Sequence, residues 1–225
     1  QNTDKNLKDV LEKEISKIEK FFNLKSDGNY EFIKNIEELK ENITIETIIE
    51  DLKIKKHVIS RLNFSTNIFS NTSSINLSEI GENINGLHFM NPITVPLIEL
   101  CKIQNYSSKL LGDLTESLKK LSYDIIEVKN NSGFLVNRVL FQEISYFFYL
   151  YEQENVPIND LKKINKILIK NSDPIKLVNM IGLDTSLKIL QNLSMENENI
   201  YVPKVLIDSV KNNILGYKNK KLLKI

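Results

Sequence analysis

From Ile43 to Val128 the chain alternates strand-like runs with helix-like stretches, and after Asn130 no strand-like run returns. That pattern confines the fold. Parallel strands need crossovers, usually helices, so β-α-β alternation implies a largely parallel sheet covered on both faces. The strand signals are Ile43, Ile45, Ile48 and Ile49 ending at Glu50, then Asn67 to Ser70, Gly86 to Phe89, Pro96 to Cys101 and Tyr123 to Val128. Between them fall a charged helix over 51–63, a turn at Asn71-Thr72-Ser73-Ser74, a short helix near 77–82, a break at Pro92 and a helix from Leu110 to Leu121. Ahead of the first strand, Leu7, Val10, Leu11, Ile15, Ile18, Phe21 and Phe22 recur at helical spacing, followed by a turn at Asp27-Gly28.

The rest of the chain reads as helix throughout. Phe134 to Tyr151 is apolar nearly all round, which predicts burial on all sides. Asp160 is expected to cap a helix with Leu161, Ile164, Ile167 and Leu168 on one face. Asp173-Pro174 starts another helix and Gly182 stops it, Asp184 is expected to cap the next, and Pro203 opens the last. The expected fold is therefore α/β plus all-α, with domains over 1–129 and 130–225.

Composition removes several function classes. A formal net charge of +1 gives no electrostatic footprint for nucleic acid or an anionic membrane. The richest apolar run contains Asn137, Arg138, Gln142 and Glu143, so it reads as a helix of a water-exposed protein and not as a membrane span. With one cysteine, Cys101, an intramolecular disulfide is impossible and a reducing compartment fits. Two histidines and one cysteine offer no zinc spacing, so no metal is expected. The seven glycines form neither a G-x-G-x-x-G turn nor a P-loop.

His57, in Lys55-Lys56-His57, reads as part of a solvated helix face. His88 ends an apolar strand in Gly86-Leu87-His88-Phe89-Met90-Asn91-Pro92, and open α/β sheets bind ligands beyond the carboxyl ends of their strands. Glu99 lies on the next strand and reaches His88 if the turn brings the two strands side by side. A carboxylate bonded to one imidazole nitrogen fixes the tautomer and makes the other a better base. By themselves, a strand-end histidine and a nearby glutamate are more often structural than catalytic. Ser73 and Ser74 offer hydroxyls in a loop after a strand, where ordinary turn chemistry also accounts for them. Asn137 sits in an otherwise apolar helix, and its amide either bonds neighbouring backbone or faces a site.

Five ordered segments resemble the L-3-hydroxyacyl-coenzyme A dehydrogenase family. Ser70-Asn71-Thr72-Ser73-Ser74 matches its S-N-T-S-S loop, and Gly86 to Pro92 matches its G-x-H-F-x-N-P. Pro96-Leu97-Ile98-Glu99 resembles its L-V-E, Ser132 to Arg138 its P-G-F-x-x-N-R, and Ile181-Gly182-Leu183-Asp184-Thr185 its V-G-L-D-T. The resemblance implies an NAD-binding Rossmann-like domain over 1–129 and an all-α dimerisation and substrate domain over 130–225. It implies that His88 is the general base toward the substrate 3-hydroxyl, that Glu99 orients it, and that Ser73 and Asn137 bond the substrate's oxygens. Glu50 and Lys55 match positions that contact the nicotinamide ribose of NAD, with Ser73 and Asn91 beside the same cofactor. An acyl-coenzyme A substrate and a homodimer follow; the single cysteine fits a cytoplasmic location, with the mitochondrial matrix as the alternative.

The chain departs from the family pattern in places. The match begins after the family's second strand, so its glycine-rich turn has no counterpart here, and weak NAD binding by these 225 residues is expected. The loop before His88 is shorter than usual, and the spacing from His88 to Glu99 is one residue short. Ser172-Asp173-Pro174 replaces a G-P turn, and Tyr217 to Lys221 replaces a glycine-rich signature. Two other readings stand beside the dehydrogenase: a piece that acts only with a partner chain, and a dehydrogenase of free hydroxy acids.

Overall fold

The computed structural model describes residues 2–23, 25, 28–33, 35–39, 43–62, 67–91, 93–103, 108–168 and 173–225, the side chains of 2–6, 108 and 168 excepted. Asp27, Pro92, Ser172, the Leu168 side chain and the end of the helix expected at residue 63 lie outside them. The chain forms two compact units, one of residues 1–72 and 76–130, the other of residues 73–75 and 131–225.

The first unit opens with α1 (Asn2–Phe22). Its sheet holds β1 (Ile43–Glu46), β2 (Asn67–Ser70), β3 (Ile84–Phe89), β4 (Leu97–Cys101) and β5 (Asp124–Val128), side by side in chain order. β1, β2 and β3 run parallel, joined through α2 (Leu52–Ser60) and α3 (Leu77–Ile80). β4 turns back antiparallel to β3, and β5 lies parallel to β4 after α4 (Ser108–Lys120). The sheet is mixed and Rossmann-like. Phe69, Leu87, Ile98, Leu100, Leu118 and Tyr123 form its buried core, with the Phe22 ring 5.4 Å from that of Tyr123.

β1 is shorter than its β-branched run predicts. The Glu46 carboxylate accepts the Ile48 N–H at 2.7 Å, which bends the chain out of the strand before Ile48 and Ile49 can join it. Asp51 then caps α2 by accepting from the N–H groups of Lys53 and Ile54.

The second unit is helical: α5 (Val136–Glu152), α6 (Ile158–Leu168), α7 (Pro174–Ile181), α8 (Leu183–Glu196) and α9 (Lys204–Lys211). Phe141, Ile144, Phe148, Val178, Leu183, Leu190 and Leu206 are wholly buried in its core. Each such side chain contributes roughly 1.5–3 kcal/mol relative to exposure. The expectation for α5 needs correction. Phe141, Ile144, Phe147 and Phe148 are buried, but Leu135, Val139, Tyr146 and Tyr149 leave an apolar stripe exposed.

Two expected caps are also corrected. α6 begins at Ile158, and the Pro157 carbonyl accepts from the N–H groups of Asp160 and Leu161, so Asp160 lies within the first turn. α8 begins at Leu183 because Gly182, at φ 102°, both ends α7 and starts α8. Asp184 is left in the first turn, where it pairs with Lys218 at 2.8 Å. Asp173 caps α7 as expected, accepting from the Lys176 N–H at 3.0 Å. Pro203 has no capping side chain. Glu152, at the end of α5, accepts from the N–H groups of Lys204 and Val205 and caps α9 from across the bundle.

Candidate active site

His88 and Glu99 stand directly opposite each other in the antiparallel β3–β4 register. Opposed residues carry their side chains on the same face of the sheet, and Nδ1 of His88 lies 2.7 Å from Oε2 of Glu99. The pairing depends on register, which is why the short sequence spacing does no harm. Glu99 is wholly buried and His88 is 8% exposed. With Glu99 ionised, Nδ1–H donates to it, and Nε2 is left as the acceptor nitrogen of the ring. The same carboxylate acts on a neighbour. Burial, and secondarily the Glu99 charge, push the Cys101 thiol up to about 11.

The position of His88 is set by a hydrogen-bonded seam at the carboxyl ends of β1, β2 and β3. Asn71 donates its backbone N–H to the Glu46 carbonyl at 2.8 Å and accepts the Phe89 N–H on its side-chain oxygen at 2.8 Å. One residue therefore ties three strand ends together, one position from His88.

Beneath this seam lies a buried charged cluster. Glu46, at the end of β1, takes Lys55 Nζ on both carboxylate oxygens at 2.8 and 3.0 Å and accepts the Ser70 hydroxyl at 2.6 Å. Lys55 Nζ also reaches the Ile48 carbonyl at 3.3 Å and lies 3.5 Å from Oε2 of Glu50. Oε1 of Glu50 accepts the Thr72 hydroxyl at 2.7 Å. The Glu50 side chain keeps 24% of its surface exposed, whereas that of Lys55 keeps 1%. Glu50 can thus accept a hydrogen bond from outside. Lys55 is turned inward, behind Glu50. Asn91 is exposed in the segment after β3.

In the second unit, Asn137 is 8% exposed and donates its amide to the Ser73 carbonyl at 2.6 Å. The amide bonds backbone, and the backbone it bonds is that of the other residue expected to touch substrate. Ser74 is buried and Ser73 half-buried. His57 is exposed on α2, as its lysine neighbours predict. Sequence reasoning missed Glu46 and the seam-forming role of Asn71. A glutamate inside a β-branched run, with a lysine nine positions on in the following helix, is the signal that could have found the first.

The buried His88–Glu99 pair near the carboxyl end of β3 and the partly exposed Glu50 carboxylate beyond the end of β1 are the polar groups of the candidate site in this Rossmann-like unit. The family model for the 3-hydroxyacyl-CoA dehydrogenase NAD binding domain matches residues 1–131, and that for the C-terminal domain matches residues 133–223. The chain belongs to the 3-hydroxyacyl-CoA dehydrogenase family, and NAD is the cofactor of its first domain. Solved structures agree in fold. FadB2 of M. tuberculosis matches at 24% identity and a TM-score of 0.76, over 84% of this chain and 73% of that one. (S)-3-hydroxybutyryl-CoA dehydrogenase PaaH1 of Ralstonia eutropha matches at 27% identity and a TM-score of 0.67, over 82% and 71%. The 3-hydroxybutyryl-CoA dehydrogenase of Escherichia coli K12 matches at 22% and a TM-score of 0.70, over 84% of this chain but 44% of that one.

Proposed function

We propose that this protein oxidises an L-3-hydroxyacyl-coenzyme A to the 3-oxoacyl-coenzyme A with NAD, in fatty-acid β-oxidation or butanoate metabolism. The observation that carries the reading is the buried 2.7 Å bond between His88 and Glu99 in a chain of this family. His88, through Nε2, takes the proton of the 3-hydroxyl as the carbinol carbon loses hydride, for which bound NAD supplies the acceptor. Glu99 holds the ring in the Nδ1–H tautomer and stabilises the imidazolium that forms. Ser73 and Asn137 hydrogen-bond substrate oxygens and fix which hydrogen faces the cofactor. Glu50 accepts a ribose hydroxyl, and Asn91 offers its amide to the same cofactor.

The first unit binds the cofactor, and the second serves substrate and dimerisation. The exposed apolar side chains of Leu135, Val139, Tyr146 and Tyr149 on one face of α5 support a homodimer, because apolar side chains left exposed beside a filled core mark an interface. Among the described residues no helix is long and apolar enough to cross a membrane. A lone, buried thiol at Cys101 suits the cytoplasm.

The test is NADH formation by the purified protein with L-3-hydroxybutyryl-coenzyme A against free 3-hydroxybutyrate. Turnover of the thioester in strong preference to the acid is expected. With NAD raised to saturation, because weak binding is expected, equal turnover of the free acid, or turnover of neither compound, overturns the reading.

A further inference from the structure

Two carboxylates share one ammonium at the end of β1. Glu46 takes the two short bonds from Lys55, at 2.8 and 3.0 Å, and Glu50 stands off at 3.5 Å. The side chains of Glu46 and Lys55 are 2% and 1% exposed, so both ions have given up water. A pair this deep is a poor source of stability, since desolvation offsets its attraction and apolar side chains of like volume often do as well. Its effect here is geometric and electrostatic. Glu46 bends the chain by accepting the Ile48 N–H, and Lys55 holds the Ile48 carbonyl at 3.3 Å, so the segment leading to Glu50 is gripped from below on both polar groups of one residue. Because Glu46 takes both short bonds from Lys55, the ammonium is held back from Glu50, whose side chain keeps its exposed side.

We propose that Glu46 is a positioning residue for cofactor binding: by holding Lys55 it presents Glu50 as an anionic acceptor for a ribose hydroxyl. The inference rests on the reading of Glu50 given above, and goes beyond it in making Lys55 an internal support and Glu46 its anchor. Ser70 belongs to the same support through its 2.6 Å bond to Glu46.

The experiment compares wild type, Glu46→Gln and the double variant Glu46→Gln/Lys55→Met, the last removing both buried charges at similar volume. Thermal unfolding, NADH affinity by fluorescence titration, and amide exchange over residues 47–51 are measured on each. Glu46→Gln is expected to lose thermal stability and to bind NADH on the order of tenfold more weakly, the effect of one charge-assisted hydrogen bond. The double variant is expected to regain thermal stability while its NADH affinity stays weak and exchange over 47–51 stays fast. Recovery of wild-type NADH affinity together with stability would make Glu46 purely structural and overturn the proposal. Unchanged exchange over 47–51 in both variants overturns it as well, whatever the ligand does. NADH affinity that Glu50→Gln leaves unchanged overturns the underlying reading of Glu50, and this inference with it.

Discussion

Replacing Glu99 with Gln separates the two things the carboxylate does for His88, orienting the ring and answering its charge. The amide oxygen can still accept from Nδ1–H at the observed 2.7 Å, so the tautomer survives. The charge does not. At that separation and an effective dielectric of about 20, the full imidazolium–carboxylate attraction is about 6 kcal/mol. Imidazolium is only partly formed in the transition state, so roughly 2–4 kcal/mol should be lost, a fall in kcat of roughly 30- to 1000-fold with little change in KM. Cys101 gives a readout independent of turnover. Its thiol is raised to about 11 by burial first and by the Glu99 charge second. Removing a nearby negative charge favours thiolate, so the Cys101 value should fall in Glu99→Gln yet stay above the ordinary thiol range, because burial persists. Thiolate ultraviolet absorbance against pH measures it, beside NADH formation on L-3-hydroxybutyryl-coenzyme A. A variant with kcat within threefold of wild type, or with an unmoved thiol, would refute the electrostatic argument.

Gly216→Ala should cost roughly 2–5 kcal/mol, since the residue sits at φ +76° and an added Cβ would fall 2.3 Å from the Asn179 carbonyl oxygen. A wild-type melting temperature would contradict this. The α5 stripe should make the protein dimeric at micromolar concentration in light scattering, and Val139→Asp, which places a charge at its 66% exposed centre, should shift it toward monomer without loss of helix by circular dichroism. A monodisperse wild-type monomer would remove the dimer proposal.

The elements legible in advance were those set by short-range pattern. β-branched runs gave the strands, and Asp173-Pro174 and Gly182 gave the ends of α7, because capping and positive φ are local demands. What sequence could not supply was the effect of groups distant along the chain. The antiparallel register that aligns His88 with Glu99 belongs to the β3–β4 pairing, and no residue count along the chain contains it. Asp160 and Asp184 look like caps, but carbonyls upstream started both helices earlier. In α5, apolar residues on every side suggested burial on every side. The second unit has one core to offer α5, on the side of Phe141 and Phe148, and the other face stays exposed in the single chain. Lys55 reads as a surface lysine in a charged helix, and only the three-dimensional placement of Glu46 draws it inside.

The central claim, proton removal from a 3-hydroxyacyl thioester by His88, is tested most directly by steady-state NADH formation from L-3-hydroxybutyryl-coenzyme A in wild type and His88→Gln. The base acts as the proton leaves and not in the bound ground state, so kcat should fall by roughly 10²–10⁴-fold while KM changes little. A His88→Gln protein that turns over at near wild-type kcat would contradict the assignment of the dyad and the function built on it.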